Sequence, residues 1–367
     1  MVIEDLALLF VRGLGSRGIV HLIDHFGNAE AIYSAPLHTL INEAGLRKDV
    51  AERIVAGEGI PEAEAEAKYC RKHGIIALAA TDEDYPLLLR ETSDRPHVLF
   101  VKGSVNALHL RTLSMVGTRN ASPSGIHVSD KLIADLATRV PDLCIVSGLA
   151  YGIDSSCHRS ALTHNAHTVA VVAETLPNIS PAPNRNLADD ILRHGGAIVS
   201  ELHSQSKQNG QLFIARNRII AALSMGTIVV ESPASGGSLA TADIADSYGR
   251  TVMAVPGRIT DTNSFGSNNL IRTGKARMVL TASDIIDDMG WESSQHTTAD
   301  SDGDLAYDNV SDSERTILKA LDSATTLDWD GLIATTGLSM GELAMTLMDL
   351  ELKGAIRRLP NKRYERI

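Results

Sequence analysis

The chain has 367 residues, 44% of them hydrophobic, which is enough for two or three domains with proper cores and excludes a globally disordered protein. Its three cysteines are widely spaced and form no metal-binding pattern with histidine, so we expect no metal site and a reducing, cytoplasmic environment. The first residues, MVIEDLALLF, are acidic rather than basic, and no apolar run approaches the roughly 20 residues of a membrane helix. We therefore expect neither a signal peptide nor a membrane anchor.

The net charge of −11 does not by itself exclude nucleic acid, because it is unevenly distributed. Residues 291–314 contain seven aspartates and glutamates and no lysine or arginine, so this short stretch accounts for −7 and leaves −4 for the rest of the chain. A nearly neutral body can still carry a local basic pocket. Aromatic residues make up 4% of the chain, which argues against a broad stacking surface but not against one or two stacking side chains.

Residues 1–67 are predicted to form a small helical domain. Apolar residues recur at helical spacing, as in Leu6, Leu9 and Phe10, and short glycine turns at 13–15 and 45–47 separate the helices. Such turns are typical of helix-hairpin-helix units, in which the hairpin amides hold a DNA phosphate. They also occur in plain helical bundles, where glycine ends a helix. Because the motif is short and loose here, we favour the bundle.

Residues 68–290 are predicted to form an α/β domain. Two strands, Ile75–Ala80 and His97–Val101, lie in a connecting segment, and from Leu113 onward strands alternate with helices. This alternation predicts a Rossmann-like, doubly wound parallel sheet. The predicted strands of the alternating part are Leu113–Val116, Leu143–Val146, Thr168–Val172, Ala197–Ser200, Thr227–Val230, Val252–Val255 and Met278–Leu280.

The segment from residue 213 to residue 258 gives the first indication of function. A predicted strand is followed by the glycine turn Gly236, Gly237 and Ser238, then by a helix that includes Thr241, and then by a second strand. Glycine lets the backbone come close to a ligand, and the start of the helix offers free N–H groups and a positive dipole end. The pattern favours a phosphate or another anion, although a plain turn would use the same glycines.

Further small and polar residues follow other predicted strands. Gly117 and Arg119 follow the first strand of the alternating part, Ser122 is the predicted N-cap of the next helix, and Ser147 and Gly148 follow the second strand. The carboxyl ends of parallel strands share one edge of the sheet, and ligands bind at that edge in such folds. We therefore expect these groups to converge with the glycine turn.

Arg216 and Arg218 flank Asn217 ahead of an apolar run, at a predicted strand-to-helix transition. A guanidinium is a planar, permanently charged fork that suits phosphate. The two arginines cannot both face one way, so one of them is expected to brace the fold, and Asn217 either caps a helix or contacts the ligand. For Arg119 we weigh a surface ion pair against phosphate binding and favour phosphate, because the residue closely follows a glycine at a strand end.

Asp154 and His158 stand four residues apart on one helical face, a spacing that acid–base chemistry can use. Such a pair is more often a structural hydrogen bond, and we favour that interpretation. Cys157, between them, is expected to be a small buried side chain. No catalytic residue is therefore predicted.

The last part of the chain is predicted to be an acidic linker, residues 291–311, followed by a winged-helix-like domain, residues 312–367. The linker is rich in serine, threonine and aspartate. Three helical segments and a basic, strand-like tail follow it in the winged-helix order, and that fold often reads DNA through its third helix. Here the third helix carries Glu342 and Asp349 and no basic residue, so we favour a protein-contact or packing role.

Seven segments follow one another in a fixed order over roughly residues 80–287: MVGTR with Ser122, VSGLAYGIDSSCHRSAL, IVSE, ARNRIIAALS, GGSLATA, VPG and GSNNLI. Together they resemble the DNA-processing protein A family, also called DprA or Smf. The segments are individually uncommon, so the resemblance is specific. The helical N-terminal domain and the winged-helix-like C-terminal domain are also similar to those attached to many family members.

This resemblance implies a protein that is not an enzyme and uses no cofactor. DprA-like proteins bind single-stranded DNA, form homodimers through the Rossmann-like domain, and help to load the RecA recombinase on incoming DNA in natural transformation. Backbone N–H groups and arginines would hold the DNA phosphates without reading the sequence.

The expected DNA-binding residues combine the strand-end groups with two further side chains. Arg185 could line the same groove, and Phe213 is a candidate for stacking on a base, at about 1–3 kcal/mol. The full set is Gly117, Arg119, Ser122, Ser147, Gly148, Arg185, Phe213, Arg216, Asn217, Arg218, Gly236, Gly237, Ser238 and Thr241.

Two other classes of function are left open. Related Rossmann-like folds include nucleotide hydrolases that cleave an N-glycosidic bond, similar to the LOG enzymes, which carry a PGGxGT element and a nearby catalytic glutamate. The turn here, PASGGS, lacks that spacing, but Glu201 and Glu231 are carboxylates predicted near the pocket. A weaker alternative is a duplex-DNA regulator that acts through residues 312–367, which predicts base-pair specificity that is lost when those residues are deleted.

Overall fold

The computed structural model describes residues 2–291, 311–323, 326–352, 355–358 and 363–366. The described residues form two compact units, one within residues 2–291 and one from residue 311 onward. Apart from Trp291 and Ser311, the linker predicted at residues 291–311 lies outside the described residues. No helix among the described residues is both long enough and apolar enough to cross a membrane.

Six helices open the first unit. They pack around a core that includes Leu8, Leu22, Ile32 and Leu40. The boundary predicted between residues 67 and 68 lies inside the sixth helix, which continues to residue 73 because nothing breaks the helix before the left-handed Gly74. The six helices are α1 (Ile3–Leu8), α2 (Ser16–Phe26), α3 (Ala29–Ser34), α4 (Leu37–Asn42), α5 (Lys48–Val55) and α6 (Ile60–His73).

A nine-stranded sheet forms the centre of the first unit, in the order β1-β2-β6-β5-β4-β3-β7-β8-β9. The seven strands from β3 to β9 are parallel to their neighbours in this group, whereas β1 pairs with β2 and β2 pairs with β6 in antiparallel register. The strands are β1 (Ile76–Ala79), β2 (Val98–Gly103), β3 (Arg111–Val116), β4 (Leu143–Ser147), β5 (His167–Val171), β6 (Ala197–Ser200), β7 (Gly226–Val229), β8 (Thr251–Ala254) and β9 (Arg277–Met278).

Helices cover both faces of the sheet, as the alternation of strands and helices predicted. Successive strand residues point to opposite faces, so Cys144 and Val146 pack in one layer and Leu143 and Ile145 in the other. The remaining helices of this unit are α7 (Leu87–Arg90), α8 (Pro123–Arg139), α9 (Ile153–Thr163), α10 (Arg185–Arg193), α11 (Gln211–Ala222), α12 (Gly237–Ser247), α13 (Phe265–Arg272) and α14 (Ala282–Met289).

The strand bounds agree with the sequence predictions to within one or two residues at most ends, but one local prediction is wrong. Arg216 and Arg218 do not lie at a strand-to-helix transition; both lie in the middle of α11. The segment before them holds no strand, since β6 ends at Ser200 and α11 begins at Gln211.

The second unit has a core of its own, formed by side chains that include Ile317, Leu332, Leu343 and Ile356. Three short strands pair in the order β10-β12-β11, and both pairings are antiparallel. Its elements are α15 (Asp312–Ser323), β10 (Leu327–Asp328), α16 (Trp329–Thr336), α17 (Met340–Leu352), β11 (Ile356–Arg358) and β12 (Arg363–Arg366), which is the predicted order of three helices and a terminal hairpin.

Candidate functional site

A cavity of about 240 Å³ opens at the carboxyl edge of the sheet, where the carboxyl ends of the parallel strands lie. It lies where the strand order reverses, because the chain runs from β3 through β4 and β5 to β6 on one side and from β7 through β8 to β9 on the other. Ligands of open α/β sheets bind at this point. The walls come from the end of β3 and the residues after it, the start of α9 and the loop before it, one side of α11, and the segment that leads from β7 into α12.

Two glycines bring the backbone loops after β3 and β4 into contact. A Cβ atom on Gly117 would lie 2.6 Å from the Ile153 side chain, and one on Gly152 would lie 2.3 Å from the Thr118 carbonyl oxygen. Gly152 also has a φ of +78°, in the region that favours glycine. The N–H of Ile153 donates to the Thr118 carbonyl at 3.1 Å. Both glycines therefore fix the position of Arg119, the next residue after Thr118.

Arg119 presents an available positive charge at the rim of the cavity. Its guanidinium carbon lies 5.8 Å from the ring centroid of Phe213, within the range of a cation–π contact. Arg119 is exposed, and among the described residues it has no ion-pair partner. The surface ion pair that was the alternative interpretation of this residue is therefore not present in the described part of the chain. A phosphate beside Arg119 would have a ring next to it on which a base can stack.

The start of α12 lines another wall of the cavity. Gly236 is the N-cap and no side chain caps the helix; the Leu239 N–H donates to the Gly236 carbonyl at 3.1 Å, and the N–H groups of Gly237 and Ser238 are left for a ligand. The Ser238 hydroxyl donates to the Ser232 hydroxyl at 2.9 Å, which fixes the turn. Asn217 does not cap a helix; it lies within α11, and its amide donates to the Gly237 carbonyl at 3.4 Å, so it ties α11 to this turn.

Arg216 and Asp154 form a charged, buried part of the cavity wall. The guanidinium of Arg216 donates to the Gly148 carbonyl at 2.7 Å and to the Val171 carbonyl, so it joins the carboxyl ends of β4 and β5. Its Nε atom is also buried and has no hydrogen-bond partner among the described residues. Burial raises the pKa of Asp154 above its ordinary value, although the nearby charge of Arg216 and hydrogen bonds from the backbone of Ala150 and Gly148 oppose that shift.

The structure brings together most of the predicted site residues but not all of them. The cavity wall contains Gly117, Arg119, Phe213, Arg216, Asn217, Gly236, Gly237, Ser238 and Thr241. The predicted residues that do not line it are Ser122, Ser147, Gly148, Arg185 and Arg218.

Each of these five residues has a different position or partner. Ser122 caps α8 and donates its backbone N–H to Glu231 at 3.0 Å. The Ser147 hydroxyl is buried and donates to the Met115 carbonyl at 2.7 Å, and Gly148 lies behind the Arg216 guanidinium. Arg218 is half-buried and pairs with Glu201, and Arg185 is exposed at the start of α10.

Seven residues of the cavity wall are absent from the predicted set, and Asp154 and Ile214 are the two most informative of them. Asp154 was considered only as a partner of His158, but its hydrogen bonds go to the loop after β4, and the His158 ring bonds the Thr168 hydroxyl at 2.6 Å. Ile214 lines the cavity and is 64% exposed, which is unusual for an isoleucine. The position of Ile214 next to Phe213, in a segment with polar residues on both sides, was the sequence signal that could have indicated a place in the cavity wall.

A family model described as DNA recombination-mediator protein A matches residues 77–290, which is more than half of the chain. The chain belongs to this family, DprA. A second model, the DprA winged helix domain, matches residues 302–362, which confirms the predicted fold of the C-terminal unit. The description of the family as a recombination mediator agrees with the prediction that this DprA-family chain is not an enzyme.

Individual DprA relatives cover most of the chain. Protein Smf of Escherichia coli is 33% identical over 334 residues, which is 88% of this chain and 85% of that protein. DNA processing protein DprA of Streptococcus pneumoniae is 38% identical over 205 residues, or 56% of this chain and 71% of the relative. The X-ray structure of DprA from Streptococcus pneumoniae has a TM-score of 0.66, with 30% identity, and the match covers 78% of this chain and 98% of that one.

The two glutamates that supported the hydrolase alternative are engaged elsewhere in this DprA fold. Glu201 pairs with Arg218, and burial raises its pKa despite that partner. Glu231 accepts hydrogen bonds from the backbone N–H and the hydroxyl of Ser122 at the start of α8. Neither carboxylate lines the cavity. The described residues also contain no group of His, Cys, Asp and Glu that could hold a metal ion.

Proposed function

We propose that the chain binds single-stranded DNA in the cavity at the carboxyl edge, with phosphates against Arg119 and the start of α12 and a base against Phe213. The observation that carries this proposal is that the cation–π pair of Arg119 and Phe213 lines the same cavity as the start of α12, which no side chain caps. A guanidinium and backbone N–H groups bind phosphate without reading the sequence, and every base offers a face that can stack on the ring.

A structurally similar relative supports this ligand. The structure of DNA processing protein A from Helicobacter pylori, described as having a unique single-stranded DNA binding mode, matches with a TM-score of 0.52 and 26% identity. The match covers 58% of this chain and 94% of that one. We propose the same class of ligand for this chain, because the residues of its cavity have the chemistry that a single strand requires.

The test is fluorescence anisotropy of a labelled oligo-dT and a duplex of the same length, over a salt series. Wild type should bind oligo-dT tightly and the duplex weakly. Arg119→Ala should weaken oligo-dT binding, and the log–log salt slope should become smaller by about 0.7 for each phosphate contact that is lost. Arg111→Ala is a matched control, because Arg111 begins the same strand whose end precedes Arg119 and pairs with Asp142 at the far end of β3.

Both arginine variants remove one positive charge, so a general effect of net charge would weaken binding equally in the two. A specific loss in Arg119→Ala alone supports the cavity as the DNA site. Equal binding by wild type and Arg119→Ala, or no binding of oligo-dT by wild type, would show that the DNA does not bind there.

We also propose that the chain forms a homodimer through the Rossmann-like domain. The strand β9 is an edge of the sheet, and an edge strand leaves backbone groups free for another chain. Met278 on this strand is 50% exposed and Leu280 just after it is 65% exposed, which gives the edge an apolar surface. Light scattering of wild type and of Met278→Lys tests this, and the variant should be monomeric if this edge is the interface.

The role in recombination follows from the DNA site and the family. We propose that the protein covers incoming single strands and helps to load the RecA recombinase on them in natural transformation. RecA-dependent ATP hydrolysis on a strand already covered by a single-strand-binding protein should begin sooner when this chain is added. Arg119→Ala should lose that effect, and an unchanged lag with wild type would contradict the loading role.

A further inference from the structure

Two aromatic side chains are exposed in the part of the chain that the structure describes, and both lie in segments that follow strands at the carboxyl edge. They are Tyr151, which is 48% exposed, and Phe265, which is 43% exposed. The other described phenylalanines, tyrosines and tryptophans are buried or half-buried. A large aromatic ring that stays exposed to water does not gain the hydrophobic stabilisation that its burial would provide. Because aromatics are only 4% of this chain, two exposed rings at one edge of the sheet indicate a shared partner.

Tyr151 lies in the loop between β4 and α9, beside the backbone of Arg119. The Asn184 amide donates to the Leu149 carbonyl at 2.8 Å, and Leu149 itself is fully buried with a φ of +56°. A left-handed backbone at a buried leucine is unfavourable and persists only where the surroundings enforce it. On the other side of Tyr151, Gly152 packs against the carbonyl carbon and oxygen of Arg119. The loop that carries the Tyr151 ring is therefore fixed on both sides.

Phe265 begins α13, on the opposite side of the cavity. The N–H of Gly266, the next residue, donates to the Ser232 carbonyl at 2.8 Å, and a Cβ atom there would lie 2.4 Å from the carbonyl oxygen of Pro233. Pro233 lines the cavity. Two residues before Phe265, the Asn263 amide donates to the Asn120 carbonyl at 2.9 Å, next to Arg119. The segment that carries Phe265 is therefore anchored to the cavity wall and to the loop after β3.

The strand order arranges these rings on either side of the cavity. Tyr151 follows β4, Arg119 follows β3, the α12 turn follows β7, and Phe265 follows β8, and these four strands are adjacent in that order. Neighbouring strands lie about 4.8 Å apart, so the ends of β4 and β8 are separated by about 14 Å.

We propose that Tyr151 and Phe265 are two further nucleobase platforms, so that a single strand crosses the carboxyl edge in the order β4, β3, β7, β8 with the cavity at its centre. This inference rests on the proposed function and adds its path and its outer contacts. The outer platforms bind bases by stacking rather than phosphates by charge. Their contribution therefore depends on the presence of bases and is independent of the salt concentration.

The test compares two 12-unit oligomers by fluorescence anisotropy, oligo-dT and a phosphodiester oligomer of the same length whose units lack bases. Tyr151→Leu and Phe265→Leu keep apolar volume but remove the ring, and Tyr151→Phe and Phe265→Tyr keep the ring. Val55→Ala is the control, because Val55 is an apolar side chain that is 51% exposed on α5. The three replaced side chains are all exposed, and thermal unfolding checks that each of the five variants keeps its fold.

Each leucine variant should weaken oligo-dT binding by at least about fivefold, with the same log–log salt slope as wild type. Binding of the base-free oligomer should not change, and the ring-preserving and Val55→Ala variants should behave as wild type. The proposed path is overturned if both leucine variants bind oligo-dT within twofold of wild type. It is also overturned if they lose affinity equally for both oligomers. In either case, Arg119→Ala still tests the central site independently. If wild type binds neither oligomer, the proposed function itself fails, and this path fails with it.

Discussion

Arg119 and Arg216 line the same cavity but differ in what their guanidinium groups contact. Arg119 is exposed and lies over the Phe213 ring, so its charge is available to a ligand. Arg216 is 6% exposed and donates to the carbonyls of Gly148 and Val171, which end two parallel strands. The same residue type therefore serves ligand binding in one position and the integrity of the sheet edge in the other.

These contacts predict that replacing Arg216 lowers stability much more than replacing Arg119. Arg216→Met should lower the free energy of unfolding by about 3 kcal/mol or more, because two buried carbonyls lose a charged donor and the buried Asp154 loses a compensating charge. Arg119→Ala should change it by less than about 0.5 kcal/mol, because the side chain is exposed. Urea unfolding of the two variants measures the difference. Similar stabilities for both would contradict the bracing role of Arg216.

His158 makes stability depend on pH. The ring is fully buried, and burial lowers its pKa from 6.5 to about 3. In the unfolded chain the histidine takes up a proton below about pH 6.5, whereas the folded protein keeps it neutral, so the stabilisation present above pH 6.5 is lost as the pH falls from 6.5 towards 3. Between pH 7.5 and 5.5, wild type should lose about 1 kcal/mol more stability than His158→Asn.

Urea unfolding at the two pH values, on wild type and the His158 variant, is the measurement. His109→Asn is the control, because His109 is exposed and its ring N–H donates to the backbone carbonyl of Asp84 at 3.0 Å. Its pH dependence should match that of wild type. A His158→Asn protein as acid-sensitive as wild type would mean that other groups account for the effect.

At the scale of single elements, the start of α8 shows that Ser122, which was predicted to bind DNA, stabilises the helix instead. Ser122 caps this helix, as the sequence predicts, and its hydroxyl accepts from the Gly125 N–H at 3.0 Å. The same hydroxyl and the backbone N–H of Ser122 also donate to Glu231, a carboxylate that is 8% exposed. The start of α8 thus already has a carboxylate beside it, and a phosphate there would be repelled.

Ser122→Ala should therefore lower stability rather than DNA affinity. Loss of the cap costs about 1 kcal/mol, and loss of a hydrogen bond to the buried carboxylate adds to it. The anisotropy of oligo-dT at a temperature where the variant is folded should match wild type. Ser124→Ala, an exposed change in the same turn, should alter neither quantity. If Ser122→Ala weakened oligo-dT binding without lowering stability, Ser122 would instead be a DNA contact.

The elements themselves were predictable because the alternation of apolar runs and glycine turns is a local signal. The strand-end rule placed Gly117, Arg119 and the α12 turn in one cavity, where the structure has them. The direction of Arg218 was not predictable, because its partner Glu201 lies 17 residues away. Likewise the exposure of Tyr151 and Phe265 depends on which surfaces the fold leaves uncovered, and a single sequence does not record that.

At the scale of the whole molecule, slightly more than half of the net negative charge lies in residues 292–367, which follow the unit that carries the cavity. Residues 292–367 contain fourteen aspartates and glutamates against eight lysines and arginines, so they contribute −6 to the net charge of −11. The third helix of the winged-helix unit, α17, carries Glu342, Asp349 and Glu351, all exposed, and no basic residue. Such a helix repels phosphate and is unsuited to reading a duplex.

A protein that ends at residue 291 should therefore bind oligo-dT within about twofold of the full chain, because every residue of the cavity wall lies before residue 242. The log–log salt slope should also be unchanged, because it depends on the number of phosphate contacts. Its duplex binding should also stay weak. The measurement is the anisotropy series used for Arg119→Ala, with circular dichroism to show that the shorter chain is folded. A tenfold loss of oligo-dT affinity, or base-pair specificity that only the full chain shows, would instead assign DNA contacts to the winged-helix unit.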